Sequence, residues 1–116
     1  MSRNIKEKVK KSLIIKSAGI CALSDNRCID EGIITGEFCH FSGVMPNGAR
    51  YNPNLLDKNS EDNLGFFHSP KNKVIDEQEE KYTTELLKTI KKEHEKKIAE
   101  RQKEFKDNHT SFWKNK

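Results

Sequence analysis

The sequence predicts an α+β fold in which two short strands, joined by a long loop, lead into a short helix. An N-terminal helix precedes this unit and a long helix follows it. Three observations carry the prediction. Apolar residues recur at helical spacing across residues 4–17 and again beyond Thr84. Two apolar, β-forming runs, 33–41 and 63–68, flank a polar connection rich in Gly, Pro and Asn. Ser69-Pro70 then gives a helix-start signal directly after the second run. With 116 residues, 33 % hydrophobic and 34 % charged, there is room for one modest core. The organisation expected is residues 1–19 as a basic amphipathic helix, 20–80 as the central unit, and 81–116 as a long charged helix and tail.

In chain order, Ile5, Val9, Leu13 and Ile14 mark one face of the first helix, with Lys on the other. Ser2 or Asn4 is its expected cap and Gly19 its stop. A polar loop runs between Cys21 and Cys28. Residues 33–41 read as one strand, 42–59 as a long loop of the kind that is usually functional or mobile, and 63–68 as the second strand. A short helix over 71–77 follows. Thr83 or Thr84 opens the last helix, expected to run to about residue 106, with Leu86, Leu87, Ile90, His94 and Ile98 as its packing stripe. The tail ends with an exposed-looking Phe112-Trp113 pair.

Charge is unevenly spread. The net +4 comprises six basic residues against one acid in 1–16, three against seven in 17–70, and thirteen against ten in 71–116. An acidic centre suits a divalent cation, and basic flanks suit a polyanion. No apolar run reaches the roughly 18 to 20 residues a membrane span needs, and the N-terminus lacks the apolar block of a secretory signal. The expectation is a cytoplasmic protein with no membrane partner. Three cysteines, an odd number, argue against a disulfide framework. Either two of them hold a metal or all three serve as small apolar residues.

The chemistry-bearing stretch is Gly36-Glu37-Phe38-Cys39-His40-Phe41-Ser42-Gly43. It places a His at the end of a strand, with Asn63 ahead of the next strand and Asn72 in the following helix. Singly, each has a plainer role as a structural or surface residue; their order gives the assignment. Ser17-Ala18-Gly19-Ile20-Cys21, Cys28, Glu37 to Phe41, Gly48-Ala49-Arg50, Asn63 to Asp76, and Tyr82 to Glu95 are collinear with the pattern of a known family. Over about residues 3 to 98 the chain resembles the small bacterial HNH endonucleases, including the nuclease domains of anti-phage defence effectors.

The resemblance implies a ββα-metal (HNH-like) unit and a metal-dependent endonuclease acting on DNA, RNA being the other candidate substrate. It implies His40 as general base on a water, Asn63 as the residue that orients it, and Asn72 as ligand to Mg2+ or another divalent cation. Arg50 would hold a substrate phosphate bidentately, and Glu37 would support the site. It also implies a structural zinc, for which this chain offers Cys21, Cys28 and His68. Lys71 stands at the fourth position, and a protonated Lys cannot complete a tetrahedral site. A protein partner would supply targeting or regulation in a defence or restriction-like system. The alternative is a catalytically degenerate member acting as a nucleic-acid-binding or protein-interaction module. His94 matches a family position but lies on a packing stripe, and is read as structural.

Overall fold

The computed structural model describes the backbone of residues 5–114 and the side chains of 5–104. In these residues the chain forms α1 (Glu7–Ser17), β1 (Ile29–Asp30), β2 (Ile33–Ile34), β3 (Gly36–His40), a 3-10 turn (Glu61–Asn63), β4 (Leu64–His68), α2 (Ser69–Glu77) and α3 (Thr84–Lys114). The three helices and two small antiparallel sheets make an α+β fold.

Helix α1 buries Leu13 and packs Val9 and Ile14 against the core, with Ile5 just ahead of it doing the same, while Ile15 is left 67 % exposed. The proposed caps Ser2 and Asn4 lie outside the described residues. The helix starts behind Lys6 with no side-chain cap. It stops because Ala18 and Gly19 both adopt positive φ, which lets Gly19 N–H donate back to Ile14 O at 3.0 Å.

The single strand expected over 33–41 is instead divided. Ile33–Ile34 pairs with Ile29–Asp30 across a tight turn in which Glu31 and Gly32 have φ of 49° and 80°, as a two-residue hairpin of the primed type requires. The N–H groups of Thr35 and Gly36 then both donate to Cys28 O, at 2.8 and 3.1 Å. That shared acceptor draws the chain out of the first hairpin and into β3. Strand β3 pairs with β4 from Gly36↔His68 to His40↔Leu64.

The core gathers where β3, β4, α1, α2 and α3 meet. Phe41, Phe66, Phe67, Leu64, Ile75 and Leu87 are buried there, joined by Cys21, Cys28 and Cys39. Phe38 and Phe66, cross-strand partners, have ring centroids 5.0 Å apart. Of the sequence-expected stripe on α3, Leu87 and Ile98 are buried, but Leu86 is 40 % exposed. Thr83 opens this helix, its Oγ1 accepting from Leu86 N–H at 3.2 Å. His94 is structural as expected, its Nε2 lying 3.1 Å from Ser17 O and joining α3 to the end of α1. The helix continues to Lys114 rather than stopping near residue 106. The side chains of Phe112 and Trp113 lie outside those described.

Gly36 shows how tightly this core closes. A Cβ there would stand 2.6 Å from Cys28 Cβ and 2.9 Å from Phe66 Cζ, too close for either neighbour to keep its place. Gly36→Ala is expected to cost about 1–3 kcal/mol from overpacking, read as a lower urea midpoint with an unchanged slope.

Candidate functional site

Among the described residues, strand β3 pairs with β4 alone. Beside it lies a cleft of about 670 Å³ lined by Lys10 of α1, Glu37 and His40 of β3, residues 43–45 and 47–49 of the following loop, and Asn72 and Asp76 of α2. The structure thus brings His40, Glu37 and Asn72 to one cleft, although 35 residues separate Glu37 from Asn72. Asn63, Arg50, Cys21, Cys28 and His68 are not among its lining residues.

Glu37 and Asn72 are joined directly. Asn72 Nδ2 donates to Glu37 Oε2 at 2.8 Å, and Ser69 Oγ donates to the other carboxylate oxygen. Those two hydrogen bonds, from Ser69 first and Asn72 second, hold the Glu37 carboxyl below its ordinary pKa. Asn72 Oδ1 is buried and has no hydrogen-bond partner among the described residues. An orphaned amide oxygen costs about 1–3 kcal/mol when nothing satisfies it. Amide and carboxylate oxygens are both hard donors of the kind that divalent cations take.

His40 Nε2 lies 2.7 Å from Asn59 Oδ1, a residue that the sequence pattern did not single out. Its signal was weak, because Asn59 sits among several Asn residues in a loop without periodicity. Asn63, expected to orient His40, spends its own side chain elsewhere. Its Oδ1 accepts from Ser42 N–H at 2.8 Å, and its Nδ2 donates to Ser42 O at 3.1 Å and Lys58 O at 2.8 Å. Asn63 is 1 % exposed. It fastens the long loop at both ends, and Asn59 makes the contact to the ring.

Arg50, expected to grip a phosphate, is engaged by the protein. Its side chain is 5 % exposed and forms an ion pair with Asp76 at 2.6 Å. Its Nε donates to Phe41 O at 2.6 Å, and one terminal nitrogen donates to Ile75 O at 3.0 Å. A planar fork with several fixed donors suits this tie between loop, β3 and α2, and little of it is left to meet a substrate. Lys10 is the cationic side chain that lines the cleft.

The zinc residues suggested by the resemblance fit a metal poorly. Among the described residues no group of three or more His, Cys, Asp or Glu side chains is arranged to hold an ion. Cys21 and Cys28 are fully buried. Burial, with Cys21 nearby, pushes the Cys28 thiol up to about 11, and burial pushes Cys39 to about 12. His68 turns its Nδ1 toward the Asn26 amide, at 3.4 Å.

Arg50→Ala is expected to lower stability by about 2–4 kcal/mol, since it leaves buried carbonyls and Asp76 without their donor; urea unfolding at neutral pH checks this. A second expectation concerns acid. Because the folded-state pKa of Glu37 is depressed, its contribution is present above its unfolded value of about 4.3 and is lost as pH falls through the folded value. Glu61, depressed by Lys16, acts in the same window. Glu37→Gln should therefore flatten part of the acid limb of the stability profile, followed by urea midpoints at successive pH values.

No protein-family model matches the chain, and no curated protein is significantly similar to it.

Proposed function

We propose that this chain is a metal-dependent endonuclease of the HNH type, hydrolysing phosphodiester bonds in DNA, with β3, β4 and α2 as its ββα-metal unit. The observation that carries the reading is Asn72 Oδ1, a buried hard donor with no partner among the described residues, beside Glu37 in the cleft that His40 also lines. Asn72 and Glu37 would hold Mg2+ or a similar cation. When bound, such an ion stabilises the phosphate and leaving-oxygen charge.

The chain's own residues do the rest. His40 takes a proton from the attacking water at the ring nitrogen that does not face Asn59. Ser69 keeps Glu37 ionised and turned toward Asn72. Lys10 offers a point charge to a phosphate entering the cleft, and the basic flanks hold the backbone on either side. Targeting falls to a protein partner, in a defence or restriction-like system. Residues 99–104 of α3, exposed beyond Ile98, offer a surface for one.

One observation favours a second reading. The guanidinium at the expected phosphate position is spent on protein acceptors, which suits a nucleic-acid-binding or protein-interaction module that has lost its chemistry.

Supercoiled plasmid and single-stranded RNA, incubated with Mg2+ or Mn2+, decide between them. The nuclease reading expects plasmid nicking that falls roughly 100-fold or more in His40→Ala and loses its metal response in Asn72→Ala. Absence of cleavage with every metal, or equal cleavage by His40→Ala, would sink it. Salt-sensitive DNA binding without cleavage would support the module instead.

A further inference from the structure

We propose that Asn59 is a positioning residue for His40, fixing the neutral ring in the tautomer that carries its proton on Nε2 and its basic lone pair on Nδ1. The consequence for catalysis rests on the nuclease reading; the tautomer itself does not. An amide oxygen only accepts. With Asn59 Oδ1 at 2.7 Å, Nε2 must be the donor, and the other nitrogen is left as the base. A histidine whose second nitrogen is held in this way is fixed in both protonation site and ring orientation.

The segment carrying Asn59 is built to hold it there. Asn59 N–H donates to Asp57 Oδ1 at 3.1 Å, Ser60 N–H to Asp57 O at 3.4 Å, and Asn63 N–H to Ser60 O at 3.0 Å. Lys58, its neighbour, gives its carbonyl to Asn63 Nδ2 and its amine to Asn52 O, and that amine lies 4.6 Å from the centre of the Tyr51 ring. Asn63 therefore acts on His40 at one remove: it holds Lys58 O, Lys58 leads to Asn59, and Asn59 meets the ring. This chain of contacts gives the residue expected to orient His40 a route to do so without touching it.

Nitrogen-15 NMR of the ring-labelled protein reads the tautomer directly, with His40→Gln identifying the resonances. The expected result is a predominantly Nε2–H ring at high pH in the wild type. Asn59→Ala should mix the tautomers, and Asn59→Asp, which keeps an acceptor oxygen, should restore the Nε2–H form. Plasmid cleavage should fall roughly tenfold or more in Asn59→Ala and recover in Asn59→Asp. An Nδ1–H ring in the wild type overturns the proposal without any variant, as does an unchanged tautomer ratio in Asn59→Ala. If Asn59→Ala fails to fold, Asn59→Leu, close in size and without an acceptor, takes its place in the same measurement. The expected tautomers with no cleavage by any form would refute the nuclease reading and leave the positioning role standing.

Discussion

The buried amide of Asn63 is the interaction on which the cleft depends. It sits where the loop from β3 returns to β4, and it satisfies both backbone groups of Ser42 and the carbonyl of Lys58. A connection this long would otherwise carry many backbone groups and much conformational entropy. Three hydrogen bonds from one 1 % exposed side chain turn its two ends into a fixed frame. Ser42 Oγ extends that frame by accepting from Asn52 N–H at 2.9 Å, and Gly43 N–H donates to Ala49 O at 2.8 Å. His40 lies one residue before Phe41, whose N–H donates to Asn63 O at 2.8 Å. The strand end that bears the histidine is thus tied to the same residue.

Arg50 does for α2 what Asn63 does for the loop. It reaches from the loop to Phe41 O at the end of β3, then to Ile75 O and Asp76 on α2. Breaking it would leave the helix that carries Asn72 tied to the strand that carries Glu37 mainly by the Ser69 and Asn72 contacts to that carboxylate. Beneath these ties lies an apolar core. Fully burying a Phe contributes roughly 1.5–3 kcal/mol, and Phe41, Phe66 and Phe67 are all buried. As neutral thiols, Cys28 and Cys39 pack among them as small apolar groups.

Electrostatics sharpen the division of labour between the acidic centre and the basic flanks. Glu61 at the foot of β4 is held by Lys16 at 2.8 Å and by Ser12 at 3.0 Å, and its carbonyl receives Lys91. Part of the basic charge of α1 and α3 therefore serves to lock both helices to the strand pair. Lys91 pays for this partial burial with a lowered pKa, caused chiefly by desolvation. Lys10 pairs with Glu7 at 3.5 Å on its own helix and lines the cleft, 5.9 Å from the centre of the Phe38 ring. Among the described residues no helix is long and apolar enough to cross a membrane.

The sequence by itself determined the three helices and the strands on either side of the long loop, because helical period, β-forming runs and the Ser69-Pro70 signal act over a few residues. It also singled out His40, Glu37 and Asn72, which the fold brings to one cleft. It misjudged where one strand becomes two, since that break depends on Cys28 O accepting from Thr35 and Gly36. It assigned Arg50 to a ligand and Asn63 to direct contact with His40, since residue type does not reveal which partners are near. Only the tertiary structure decided those roles. A polar side chain is committed by the groups that folding places within about 3 Å of it, and for Arg50, Asn63 and Asn59 those groups come from distant parts of the chain.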